Sequence, residues 1–521
     1  MSSTTLKQPH QKELFGHPVG LYILFFTEMW ERFSYYGMRA ILTLYMVAKT
    51  TDDNAGLGWD NGRALALYGW YTMLVYVASI PGGIIADKLL GQKKSVMVGG
   101  WLLVAGHGTL SIEQDWAFYA GLLLIILGVG MLKPNISTMV GGLYKQGDIR
   151  RDKGFSIFYI GINIGAAAAS LIVGLVAAEY GWHSGFGLAA IGMVLGQLVY
   201  LFGQKYLKNV GNQPGKDDNN SDSVSINQIF KTMLRTNKTL IIVVLLGVVS
   251  VLIPQLLMEN EQMAYTAFFI FLAIVVGFMI TVYGDLDTRI EKDRFVVLLL
   301  SFLIVIVFWG AFEQAGGLMN IYTEQKTDRM IGGWQVPAAI MQSFNPLYII
   351  IFGIPIASFW AWMKRRGKES SSIFKMAMGV IIMGLGFVFM IGASTQYEAI
   401  GKSAIYWLAL AYLFHTIGEL CASPVALSFI TKLAPVRYGA LMMGVYFAAT
   451  GLGNKVAGII GESAESAGEL KVFTGITIFC VIFGILVILI LKPLKRLIHG
   501  AEDNERVMHD DETEGFELAD N

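Results

Sequence analysis

Cysteine is almost missing from this 521-residue chain. Cys421 and Cys480 both sit in apolar runs, so neither a disulfide framework nor a thiolate metal site is indicated. Charge is scarce too: Asp, Glu, Lys and Arg make up 15% of residues, against about 25% in soluble proteins. The 39 acidic residues balance 39 basic ones, which removes the basic surplus that nucleic-acid binding needs. Residues 1–17 are polar and lack the basic-plus-apolar pattern of a cleaved signal, so insertion is expected through the first apolar span itself. His107, His183 and His415 stand alone, without metal-ligand spacing, and receive no role. The apolar segments hold no HExxH, paired aspartates or nucleophile-plus-base arrangement, which argues against a membrane-embedded enzyme. What is abundant is apolar matter: 54% hydrophobic residues and a mean hydropathy of +0.55. No soluble core of this size needs that much. The chain reads as an all-α polytopic membrane protein.

Apolar segments long enough to span a bilayer recur about fourteen times, taking about 17–25 residues per span. They fall near residues 21–47, 64–87, 95–110, 116–143, 155–178 and 185–202, then 240–257 and 265–283. Six more follow near 295–314, 337–363, 373–391, 404–433, 439–460 and 472–491. The polar stretch between the sixth and seventh spans, rich in Asn, Asp, Gly and Ser, reads as a flexible linker. The predicted organisation is a cytoplasmic N-terminus (1–17), a six-helix bundle (18–206), a linker (207–235) and two additional spans (236–285). A second six-helix bundle (286–495) and an acidic tail (496–521) complete it. Alternate loops are basic, among them Lys88, Lys93 and Lys94, then Lys364, Arg365, Arg366 and Lys368, whereas residues 111–115 and 258–262 have no Lys or Arg. The positive-inside rule then places the basic loops and both termini in the cytoplasm. Two parallel six-helix repeats describe the major facilitator architecture, whose substrate site lies near mid-membrane between the halves. The loop Gly83-x-x-x-Asp87-Lys88-x-x-Gly91-x-Lys93-Lys94 resembles that superfamily's signature, although a basic turn alone would look similar.

Within the first span, Glu28, Glu31, Arg32, Tyr35, Tyr36 and Arg39 follow i, i+3, i+4 spacing and form one polar stripe. A charge facing lipid at the helix centre costs about 2.5–3.5 kcal/mol, so this face is expected to look into protein or water. An ion-pair cluster that merely locks helices is the plainer reading; a pathway lining is the sharper one. Lys133, in Leu132-Lys133-Pro134-Asn135, lies inside the fourth span and asks for a carboxylate or an anionic ligand. Glu313 ends the apolar run 302–312, and Glu419 is the acid of the 404–433 span. Pairs made between the halves could open and close as the halves rock, or could be permanent braces. Tyr76, Tyr159, Asn163, Trp309, Asn345, Ser423 and Tyr446 are further polar or aromatic residues in spans, each open to a packing role or a ligand contact. Gly161-x-x-x-Gly165, followed by Ala166–Ala169, reads as a close helix-packing face.

Taken together these segments resemble the proton-dependent oligopeptide transporter (POT) family of the major facilitator superfamily, in its bacterial form with two extra central helices. The motifs that carry the resemblance are Glu28-x-x-Glu31-Arg32 running into Tyr35-Tyr36-Gly37-Met38-Arg39, Leu132-Lys133-Pro134-Asn135 and Phe158-Tyr159-Ile160-Gly161-Ile162-Asn163-x-Gly165. Phe308-Trp309-x-x-Phe312-Glu313-Gln314 and Glu419-x-x-x-Ser423-Pro424 match as well. The resemblance implies proton-coupled import of di- and tripeptides across a bacterial inner membrane by alternating access, with no cofactor and no obligate protein partner. By that resemblance Arg32 and Lys133 would hold the peptide carboxylate and Glu419 its amino terminus. Tyr36, Tyr76, Asn163, Asn345 and Ser423 would hydrogen-bond the peptide, with Arg39 and Tyr159 beside them, and Trp309 and Tyr446 would wall the side-chain pockets. Glu28, Glu31 and Glu313 would form the protonatable set, and Arg39–Glu313 and Lys133–Glu419 the gate pairs. Two positions depart from the family pattern: Gly69 stands where animal members carry a histidine, and Tyr446 where some bacterial members carry tryptophan. A symporter of another solute (nitrate or a peptide-like drug) on the same fold is the nearest alternative, and a channel or sensor with a transporter fold a more distant one.

Overall fold

The computed structural model describes residues 12–144, 148, 150–208, 210–212, 261–435 and 438–502. The expected span at 240–257, most of the expected linker and the tail from 503 lie outside them. Every other expected span overlaps described helices, the one at 64–87 being divided between two of them and a π-helical turn at Ala86–Leu90. In chain order these are α1 (Val19–Val47), α2 (Asn61–Val77), α3 (Ser79–Ile85), α4 (Gln92–Leu110), α5 (Asp115–Gly142), α6 (Arg150–Tyr180) and α7 (Trp182–Gly203). They continue as α8 (Glu261–Gly284), α9 (Arg289–Phe312), α10 (Leu318–Lys326), α11 (Phe344–Arg365), α12 (Ser372–Ile400) and α13 (Tyr406–Leu433). The last are α14 (Gly439–Glu462), α15 (Ala464–Ala467), α16 (Glu469–Leu489) and α17 (Leu491–Leu497). Among the described residues, strands are two residues long, as in the hairpin of Glu13–Leu14 with His17–Pro18. The protein is all-α.

Nine described segments combine the length and apolar composition of a membrane span. The 29-residue α1 is long enough but carries the four charges of its polar stripe. Lipid-facing and inward-facing helices separate clearly. Only 17% of the apolar window of the 338–365 segment is buried, and Ile354 there is 79% exposed. By contrast, 78% of the window in the 61–85 segment is buried.

By contacts the chain forms two compact units, Met1–Leu42 with Ala78–Thr236, and Thr43–Val77 with Asn237–Asn521. In the first unit small residues let helix backbones approach, as bilayer packing favours. A Cβ on Gly165 of α6 would lie 2.2 Å from the Met29 carbonyl oxygen of α1, and one on Gly161 would strike Phe25 at 2.7 Å. The Gly161-x-x-x-Gly165 face is thus the seam between α6 and α1. On α5, Pro134 cannot donate to the Gly130 carbonyl one turn back. Gly82 of α3 packs directly on that carbonyl, where a Cβ would come within 2.0 Å.

The second unit includes α2, which the chain order assigns to the first bundle. The physical reason is a glycine-lined crossing between α2 and α14. A Cβ on Gly69 would lie 2.8 Å from Gly458 Cα, and one on Gly451 would lie 2.8 Å from the Met73 carbonyl oxygen. Asn454 Nδ2 adds a hydrogen bond to the Thr72 carbonyl at 3.4 Å. Helix α9 starts at a capping box in which Thr288 and Glu291 exchange side-chain-to-backbone bonds. It ends at a short 3-10 turn, Glu313–Ala315, followed by Gly316 and Gly317. That interruption is held by polar side chains, as an irregular backbone at membrane depth requires. Thr43 Oγ1 donates to the Gly316 carbonyl at 3.0 Å, Asn320 Nδ2 donates to Thr43 Oγ1 at 3.0 Å, and Gln314 Nε2 donates to the Ala457 carbonyl at 2.9 Å.

Candidate functional site

In the first unit the charged residues of the α1 stripe are all buried: Glu28, Glu31, Arg32 and Arg39 are each less than a tenth exposed. The i, i+4 spacing puts Arg32 over Glu28, where Nη2 and Nε lie 2.7 and 2.8 Å from Glu28 Oε1. Glu31 Oε2 lies 3.2 Å from Arg32 Nε, an ion pair without hydrogen-bond alignment, and among the described residues Glu28 Oε2 has no hydrogen-bond donor. One guanidinium therefore serves two carboxylates. The ring of Tyr36 sits between two cations, with the Arg32 and Arg39 guanidinium carbons 5.9 and 5.1 Å from its centroid. Lys133 of α5 interacts electrostatically with Arg32, Tyr36, Glu31 and Glu28, so the fourth-span lysine joins the α1 cluster. Asn163 of α6 is buried and donates to the Tyr159 carbonyl at 2.9 Å, while the Tyr159 ring is 45% exposed.

In the second unit Glu313 is 2% exposed and accepts a 2.5 Å hydrogen bond from the Tyr68 hydroxyl of α2. Trp309, one turn earlier on α9, packs edge-on against Phe312 with centroids 5.2 Å apart. Glu419 of α13 accepts a 2.7 Å hydrogen bond from Asn345 Nδ2 of α11, which also donates to Thr416 Oγ1 at 3.1 Å. Ser423, one turn beyond Glu419, is half-buried and precedes the helix-interior Pro424. Tyr446 of α14 is 8% exposed and interacts electrostatically with Tyr76 and Glu419. A second grouping, Glu419–Asn345–Tyr446–Tyr76, is thereby assembled from four helices.

The predicted site residues thus fall into two sets. Glu28, Glu31, Arg32, Tyr36, Arg39, Lys133, Tyr159 and Asn163 belong to the first unit. Tyr76, Trp309, Glu313, Asn345, Glu419, Ser423 and Tyr446 belong to the second. Sequence reading missed Tyr68 and Thr416, hydrogen-bond partners on neighbouring helices that no spacing reveals. It also passed over Lys455, a lysine inside the apolar 439–460 span that is 1% exposed. That one had a signal, an isolated charge in an apolar run. Gly69, the position compared above with the histidine of animal members, faces the Gly458 backbone at a distance that leaves no space for a side chain. Among the described residues no group of three or more His, Cys, Asp and Glu could hold a metal ion.

A peptide transporter of Yersinia enterocolitica is 34% identical over 515 residues, spanning 96% of this chain and 99% of the relative. A di-/tripeptide transporter of Lactococcus lactis subsp. cremoris is 36% identical over 498 residues, 94% of this chain and 98% of the relative. Among solved structures, the crystal structure of a POT peptide transporter in complex with sulfate superposes with a TM-score of 0.81 at 35% identity, covering 94% of this chain and 97% of that one. The sequence profile of the POT family matches residues 93–473, and the chain belongs to that family.

Proposed function

We propose that this chain is a proton-coupled symporter that imports di- and tripeptides by alternating access, powered by the proton gradient and without a cofactor. The observation that carries the reading is the distribution of buried ionisable groups. Cationic Arg32, Arg39 and Lys133 lie with Glu28 and Glu31 in one unit, and Glu419, hydrogen-bonded by Asn345, lies in the other. A short peptide is a zwitterion with one anion, one cation and a polar backbone. Buried cations and a buried carboxylate answer these constant parts, while aromatic side chains such as Trp309 and Tyr446 tolerate varied peptide side chains. The relatives named as peptide and di-/tripeptide transporters support the substrate class.

In this reading Arg32 and Lys133 receive the peptide carboxylate and Glu419 its ammonium. Tyr36, Arg39, Tyr76, Tyr159, Asn163, Asn345 and Ser423 complete the polar contacts. A peptide carboxylate at Arg32 shares the guanidinium that Glu28 and Glu31 now hold, so proton and peptide favour each other's binding, as linkage requires. Glu313 is the acid whose protonation releases the Arg39 gate, and separation of Lys133 from Glu419 opens the exit. The bilayer is the bacterial inner membrane, with the basic loops and both termini in the cytoplasm. Inward proton movement contributes about 2.3 kcal/mol per charge per 100 mV in addition to the pH gradient. The test is a liposome assay with an imposed inward proton gradient and labelled dialanine. Accumulation above equilibrium that collapses with a protonophore is the expected result; uptake indifferent to the gradient would overturn the coupling, and no uptake the substrate class.

A further inference from the structure

Lys455 is a buried cation inside a membrane span that the transport scheme does not use. It sits two turns before the end of α14 and is 1% exposed. Its Nζ lies 4.3 Å from the Trp70 ring centroid on α2 and 5.6 Å from that of Tyr265 on α8. Trp70 in turn meets Phe268 of α8 edge-on at 5.9 Å. The anion within electrostatic reach is Glu462, whose Oε2 accepts a 3.1 Å hydrogen bond from the Tyr265 hydroxyl. Among the described residues the ammonium itself makes no hydrogen bond and no ion pair. Three helices therefore converge on one cation whose near contacts are the ring faces of Trp70 and Tyr265, with Glu462 acting on it only at longer range.

The surroundings of α2 make this position sensitive. The boundary between the two units falls inside α1, after Leu42, and at the junction of α2 with α3, after Val77. α2 is thus continuous in the chain with helices of the first unit, yet it packs within the second. The glycine seam with α14 (Gly69 on Gly458, Gly451 on Met73) draws the two helices together. The desolvated ammonium works against that seam. Removing an ion from water is costly, and ring faces return only part of that cost. A neutral seam would close without opposition; Lys455 supplies the opposition.

We propose that Lys455 is a positioning residue that sets how readily α2 leaves α14, and that α8 takes part through Tyr265 and Phe268 as the wall that keeps the ammonium dry. In the α2-bound arrangement the cation is held by rings; once α2 withdraws, water reaches it. This rests on the alternating-access reading above, and supplies a role for the accessory helix α8 in that cycle.

The test replaces the charge but keeps the bulk, with Lys455→Met compared with Lys455→Arg, which retains both charge and ring stacking. Spin labels at Arg63→Cys on α2 and Ser463→Cys at the end of α14 report the separation; native Cys421 and Cys480 are both buried and do not compete for label. The expected result is a population with α2 against α14 enriched about three- to tenfold in Lys455→Met, with parental distances in Lys455→Arg. In peptide uptake kcat falls by a similar factor while KM does not rise, and thermal stability is unchanged or higher. Unchanged distances in Lys455→Met would overturn the proposal. So would a lower melting temperature with parental kcat, which would make Lys455 a simple structural brace. The distance measurement needs no substrate, so a failure of the peptide-transport reading leaves this test standing.

Discussion

The two units hold their buried acids in different ways. In the first, Glu28 and Glu31 take their counter-charge from Arg32 of the same helix, at 2.7 and 3.2 Å. In the second, Glu313 and Glu419 accept hydrogen bonds from neutral donors on other helices, Tyr68 of α2 and Asn345 of α11. An intrahelical ion pair persists however neighbouring helices move. A hydrogen bond between helices lasts only while those helices stay in register. The first arrangement suits a stable anion-receiving platform, and the second suits groups whose partners change during a cycle.

The contrast can be broken most severely at Arg32. Arg32→Met leaves two buried carboxylates without their shared cation, and loss of one partner from a buried pair costs about 3–5 kcal/mol. Uptake should vanish and the melting temperature should fall, as circular dichroism in detergent would record. Glu313→Gln attacks the other kind of site. It keeps a hydrogen-bond acceptor for Tyr68 and removes the charge, so proton-driven accumulation should be abolished while counterflow exchange and folding survive. Concentrative uptake by this variant would remove Glu313 from the coupling scheme.

Gly69→His tests whether the animal-type histidine could be grafted onto this chain. With Gly458 Cα 2.8 Å from the new Cβ, the α2–α14 seam must spread. Overpacking of this kind costs about 1–3 kcal/mol, visible as a lower melting temperature. Asn345→Ala removes the donor to Glu419, and the KM for dialanine should rise about tenfold, the equivalent of one hydrogen bond to a charged group. The smallest effect is expected at Arg150, whose guanidinium joins Glu13 at 2.9 Å, the Gly16 carbonyl at 3.1 Å and Asp148 at 2.9 Å. Arg150→Ala should leave uptake intact and speed protease cutting ahead of Val19. The hydrogen bonds from Arg150 hold the Asp148 carboxyl below the ordinary carboxylate range. A lowered acid stabilises the fold above its unfolded value and loses that contribution as pH falls. The Arg150-dependent protection should therefore disappear only below about pH 4, the ordinary aspartate range.

The sequence by itself determined the class of molecule, the approximate placement of the described spans and the α1 stripe. Hydropathy over a bilayer's thickness and i, i+4 spacing are local properties that the chain carries without folding. Lys133, Glu313 and Glu419 were visible for the same reason, since an isolated charge in an apolar run stands out. The tertiary structure alone decided their partners. Tyr68 meets Glu313 across 245 positions and Asn345 meets Glu419 across 74, distances at which spacing carries no information. It also decided that α2 packs on α14, because the fit of Gly69 against Gly458 depends on two backbones approaching from opposite ends of the chain. Local chemistry wrote the charges; only packing could say what each one faces.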